Sequence, residues 1–132
     1  VSGQGKLLGE SRPGYLALEF LSHSDLLAVM SASDLVISRP GLGTLTELSA
    51  LKKASILVPM PNTHQEDNAQ ACAMAGAAIY IEQKDLSTKI VRLISNLLQS
   101  TSRQAELKDK MAGIIKSGAA ETIVDLVIKM IN

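Results

Sequence analysis

The sequence predicts an α/β fold in which a parallel sheet is covered by helices on both faces. Two observations predict it. Short apolar runs of β type alternate along the chain with stretches whose apolar residues repeat at helical spacing. Signatures of helix starts fall directly behind two of those runs, as they do where a strand feeds a crossover helix.

Taken in order, the expected strands are Tyr15 to Phe20, Asp34 to Ser38, Ser55 to Pro59 and Ala77 to Ile81. Between them, Leu26, Leu27 and Met30 repeat as on one helix face, and so do Leu45, Leu48 and Leu51. The alanine-rich run Ala69 to Ala75 favours helix by intrinsic propensity. Thr44 with Glu47, and Thr63 with Glu66, match the capping box, in which each side chain satisfies a backbone N–H left unpaired at a helix start. From Leu86 the pattern is wholly helical: Leu86 to Leu98, Arg103 to Ile115 and Ala119 to Ile131, with breaks at Gly113 and Gly118. In the last of these Val124, Val127, Ile128 and Ile131 form one apolar stripe. The sum is a single α/β domain over 1–132, with a helical C-terminal region from about residue 86. The opening "VSGQGKLLGES" has no strand ahead of it and does not begin with Met, so we expect a piece excised from something longer, with a cleaved terminus as the alternative.

Composition narrows the function. Aromatic residues make up only 2% of the chain, so the core must be aliphatic and base stacking is not on offer. Thirteen basic residues cancel thirteen acidic ones, which leaves no net field to gather nucleic acid. Any phosphate must be held by geometry. Cys72 is the single cysteine, which excludes an internal disulfide and fits a reducing, cytoplasmic setting. The longest apolar run, Ala71 to Ile81, is far short of the roughly 20 residues that span a bilayer.

Ligands of open parallel sheets bind beyond the carboxyl ends of the strands, where loops enter helix N-termini. Two loops are candidates. In the first, Arg39 to Glu47, Gly41 and Gly43 permit positive φ and close approach of a ligand to the backbone. As a G-x-G-x-x-G it fails, because Thr46 stands at the third glycine. In the second, "PMPNTHQEDNAQA", the neutral side chains of His64, Gln65 and Asn68 share the first turns of a helix and suit sugar hydroxyls, which need directional bonds of both polarities. Each feature has a plainer reading as a turn or a helix start. Glu47 is either a cap that reaches back to its own helix or a carboxylate free to accept both hydroxyls of a ribose. No P-loop lysine, H-E-x-x-H or G-x-S-x-G motif is present, and no D-x-D pair could hold a metal on a diphosphate, so metal-dependent chemistry is disfavoured and no cofactor is expected.

Together "ISRPGLGTLTEL", "ILVPMP", "HQEDNA" and "AGAAIYI" resemble, in order and spacing, the C-terminal domain of family-28 glycosyltransferases, over about residues 2 to 86. The resemblance implies the C-terminal, Rossmann-like, donor-binding half of a two-domain GT-B enzyme. For the peptidoglycan branch of the family it implies UDP-N-acetylglucosamine as donor and transfer of the sugar to the lipid-linked muramoyl-pentapeptide, lipid I, giving lipid II at the cytoplasmic membrane face. It implies that Glu47 binds the ribose hydroxyls and that Gln65, Asn68 and His64 touch the N-acetylglucosamine. It implies further that Gly41, Leu42, Gly43 and Thr44 lie in the loop against the diphosphate, that main-chain atoms at Leu21 read the uracil, and that Arg39 shapes the loop. The catalytic base and the acceptor site are expected in an N-terminal domain that this sequence lacks, along with the upstream glycine-rich phosphate loop. Lys52, Lys53 and Ala54 depart from the family's usual Gly-x-Pro, which alters a helix end and leaves the site alone. Two other implied readings are a donor-binding subunit or domain of another GT-B enzyme, of dolichol-linked or diacylglycerol type, and a non-catalytic nucleotide-binding module.

Overall fold

A computed structural model describes residues 1, 5, 9–116 and 118–131; of the opening segment, residues 2–4 and 6–8 lie outside it, so the reading of "VSGQGKLLGES" falls mostly beyond the described residues. The chain divides into two units, Val1–Ser33 and Asp34–Asn132.

In the first unit Arg12 and Tyr15 exchange backbone hydrogen bonds of 2.8 Å across a Pro13–Gly14 turn, with Gly14 at φ 77°. Proline presets the first central residue of such a turn and glycine alone accepts the second without strain. The expected strand Tyr15 to Phe20 does not form. A strand needs a ladder partner, and among the described residues of this unit only the isolated Arg12–Tyr15 bridge is present. Helix α1 (His23–Ala32) follows, capped by the Ser22 hydroxyl, which accepts from the Asp25 N–H at 3.2 Å.

The second unit holds a three-stranded parallel sheet in the order β1 (Val36–Ser38), β2 (Ser55–Leu57), β3 (Ile79–Tyr80). Ile37 pairs with Ile56, and Leu57 with Tyr80. Parallel neighbours require crossovers. These are α2 (Leu42–Ala50) and α3 (Gln65–Met74), so the alternation predicted from sequence is what the chain adopts. A single 3₁₀ turn, Gln83–Asp85, leads into α4 (Leu86–Leu98), then α5 (Thr101–Met111) and α6 (Ala119–Ile131).

Successive strand residues face opposite sides of a sheet. Ile56 and Val58 enter a buried cluster with Ala54, Ile81, Leu97 and Leu107, against which Leu86, Ile90, Leu93 and Ile94 of α4 pack. Leu57 points the other way and is also wholly buried. Both faces are therefore covered, as parallel sheets require. Each such aliphatic side chain contributes about 1.5–3 kcal/mol on burial, which is how a core without aromatics holds. The stripe on α6 is present but covers nothing among the described residues: Val124, Val127, Ile128 and Ile131 are 55%, 51%, 48% and 77% exposed. No helix among the described residues is long and apolar enough to cross a membrane.

Candidate binding site at the carboxyl edge of the sheet

β1 and β2 are neighbours, so the loops that leave their carboxyl ends run side by side, and two side chains tie them together. Arg39 donates from Nη1 to the carbonyls of Val58 and Pro59, at 2.9 and 2.8 Å. Asn68, in the first turn of α3, donates from Nδ2 to the Pro40 carbonyl at 3.0 Å. The entrance of α2 is thereby fixed against the entrance of α3.

α2 begins earlier than the capping signature indicates. Gly41 is the N-cap, in extended conformation at φ −70°, and the Leu45 N–H donates to its carbonyl at 2.9 Å. Glycine caps a helix nearly as well as threonine, so an early start gains a turn at little cost. The Thr44–Glu47 capping box is consequently not made: Glu47 lies more than a turn past the cap and cannot reach it. Helical spacing puts Glu47 on one face with Gly43 and Thr44, turned from the buried Leu45, Leu48 and Ser49. Neither Gly41 nor Gly43 takes a positive φ, contrary to expectation. What their lack of a side chain provides is room, since a Cβ added at either would meet nothing within 4 Å. Among the described residues, the N–H groups of Leu42, Gly43 and Thr44 have no partner and no side chain caps them. A helix entrance of this kind attracts anions through those donors and the helix dipole.

The α3 entrance is built differently. Thr63 Oγ1 donates to the Met60 carbonyl at 2.8 Å and accepts from the Gln65 N–H at 3.3 Å. Glu66 Oε2 accepts from the Asn62 N–H at 3.1 Å, one residue upstream of where a capping box would aim it, and Asn62 sits in the left-handed region at φ 59°. Gln65 Oε1 accepts from the Met60 N–H at 3.0 Å. Only an oxygen can accept there, so the orientation of that amide is fixed with Nε2 as its outer end. By the same logic Asn68 presents Oδ1. His64 is exposed at the N-cap of α3.

Arg39, Pro40, Gly41, Leu42, Gly43, Thr44, Gln65 and Asn68 are thus brought to one edge. Leu21 belongs to the unit Val1–Ser33, half-buried just ahead of the Ser22 cap. Sequence reading missed Ser38, whose hydroxyl at the end of β1 is buried with no hydrogen-bond partner among the described residues. It also missed the hold of Glu66 on Asn62, although asparagine's tolerance of the left-handed region, four residues before a glutamate, is a signal for it. Beyond β2 and β3 a depression of about 200 Å³ is lined by Pro59, Pro61, Glu66, Tyr80, Glu82 and Lys84 among others. The Tyr80 phenol there is held above its ordinary pKa, by desolvation first and then by the charges of Glu82 and Glu66. Among the described residues no group of three His, Cys, Asp or Glu side chains could hold a metal ion.

Comparison with known proteins gives the family and the fold. The model of the glycosyltransferase family 28 C-terminal domain matches residues 4–126. The UDP-N-acetylglucosamine–N-acetylmuramyl-(pentapeptide) pyrophosphoryl-undecaprenol N-acetylglucosamine transferase of Crocosphaera subtropica is 35% identical over 119 residues, which cover 87% of this chain and 34% of that protein. The enzyme of the same name from Rhodopseudomonas palustris is 40% identical over 111 residues, 81% of this chain and 30% of the relative. The crystal structure of Acinetobacter baumannii MurG superposes with a TM-score of 0.73 at 29% identity, over 85% of this chain and 32% of that one. The chain spans about a third of the length of these relatives. By the match of its family model along nearly its whole length, the chain belongs to the glycosyltransferase family 28 C-terminal domain family.

Proposed function

We propose that the chain is the donor-binding half of an inverting glycosyltransferase that takes UDP-N-acetylglucosamine and passes the sugar to lipid I to form lipid II. The observation that carries this reading is the open entrance of α2, with N–H groups unpartnered among the described residues, room above Gly41 and Gly43, the β2 exit tied to it by Arg39 and α3 fastened beside it by Asn68. The diphosphate is assigned to the backbone of Gly41 to Thr44. Glu47, on the same helix face one turn on, is assigned to the ribose hydroxyls; Gln65, Asn68 and His64 are assigned to the sugar. The names of the relatives support both donor and acceptor.

The chemistry follows from those assignments. An acceptor hydroxyl attacks the anomeric carbon as the bond to the diphosphate breaks, and negative charge grows on the departing UDP. Fixed donors at a helix entrance stabilise such charge without reorganising at the moment of reaction. The acceptor site and the base that takes the hydroxyl proton are assigned to the other half of such an enzyme, working at the inner face of the cell membrane.

The test is isothermal titration with UDP-N-acetylglucosamine, UDP and NAD, on this chain and on any longer protein that contains it. Saturable binding of the UDP ligands and none of NAD is the expected result. Binding of NAD in preference to UDP would replace this reading by that of a dinucleotide-binding module.

A further inference from the structure

The turn between β2 and α3 is held by a side chain that no role in the donor site uses. Glu66 Oε2 accepts from the Asn62 N–H at 3.1 Å, and Asn62 is one of two non-glycine residues in the described chain with positive φ. A left-handed residue persists where its surroundings over-determine it. Here the carboxylate reaches back across the helix start, where the dipole favours a negative charge. The same turn carries Thr63 and His64, whose N–H groups have no partner among the described residues, and leads directly into Gln65.

We propose that Glu66 is a positioning residue for the sugar end of the donor site: by clamping the Asn62 N–H it fixes the turn that presents His64 and Gln65. The inference rests on the nucleotide-sugar reading above and adds to it a residue that touches no ligand. Its consequence is selective. Loss of the clamp loosens the α3 entrance, which meets the sugar, and leaves the α2 entrance, which meets the diphosphate, as it was.

The experiment compares UDP with UDP-N-acetylglucosamine, by titration, on the full protein and its variants. Glu66→Ala is expected to weaken UDP-N-acetylglucosamine about tenfold, the scale of one charge-assisted hydrogen bond, with UDP changed less than about twofold. Glu66→Gln keeps an oxygen for the Asn62 N–H and is expected to bind within about threefold of wild type, because a neutral acceptor makes a weaker bond than a carboxylate. Asn62→Gly makes the left-handed conformation intrinsic, so adding it to Glu66→Ala is expected to recover most of the loss. Amide exchange at Asn62, measured without ligand, is expected to quicken in Glu66→Ala and stay slow in Glu66→Gln. Equal weakening of both ligands, no weakening of either, or a Glu66→Gln variant as poor as Glu66→Ala would overturn the proposal. A wild-type protein that binds neither UDP ligand would instead remove the reading on which it rests, and the proposal with it.

Discussion

Asn68 donates to the carbonyl of Pro40 at 3.0 Å, which joins the first turn of one crossover helix to the residue that precedes the cap of the other. One amide therefore serves two ends. Its nitrogen fastens the loops, and on the proposed reading its oxygen meets the sugar. We predict that Asn68→Ala lowers stability by about 1 kcal/mol, the net value of one such bond, and weakens UDP-N-acetylglucosamine more than UDP. Thermal unfolding and paired titrations check the two effects separately.

Arg39 makes the second tie, and its two acceptors belong to backbone at the exit of β2. Hydrogen bonds from charged groups are worth about 1.5–3 kcal/mol, so Arg39→Ala should lower stability on that scale in urea unfolding. Arg39→Lys should recover only part of the loss, because an ammonium lacks the planar fork of the guanidinium.

Glu47→Ala, in the enzyme with its acceptor half present, is expected to raise the donor KM about tenfold or more, in line with the loss of hydrogen bonds to a charged group. An unchanged KM for the UDP-sugar would count against the ribose assignment.

α2 ends with Lys52 at φ 51°, the Lys52 N–H donating to Ser49 at 3.2 Å and the Lys53 N–H to Leu48 at 3.0 Å. This is the Schellman arrangement, whose left-handed residue is most often glycine. Lysine there is strained, so Lys52→Gly is expected to raise the unfolding free energy by roughly 0.5–1 kcal/mol. A melting curve unmoved or shifted downward would contradict it.

Cys72 is 1% exposed, and burial pushes its thiol above the ordinary value. A group whose folded pKa lies above its unfolded one favours the folded state fully below the unfolded pKa, and that contribution is lost as pH rises through the folded value. Stability is thus expected to fall on the alkaline side, and to fall less in Cys72→Ala. Native protein at pH 8 should react with a thiol reagent far more slowly than protein in urea, which a colorimetric time course reads directly.

Particular elements show why some of the fold is legible in sequence. Leu86–Leu98 and Ala119–Ile131 are the helices that the apolar spacing marks, end to end, because periodicity is a local property. The Tyr15 to Phe20 run reads as a strand for an equally local reason, yet among the described residues of its own unit it has no ladder partner beyond the isolated Arg12–Tyr15 bridge. Thr44 and Glu47 carry the letters of a capping box. The helix nonetheless starts at Leu42, because Gly41 is a serviceable cap and the buried Leu45 and Leu48 set the phase.

By itself the sequence determined the alternation of strand and helix, the aliphatic core and the two loops where a ligand could sit, since these follow from side-chain type and spacing along the chain. Only the tertiary structure decided that Arg39 closes on carbonyls about twenty residues away and that Asn68 meets Pro40. Hydrogen bonds between distant segments depend on which strands become neighbours, and strand pairing is settled by the burial of the whole sheet, which no local pattern records.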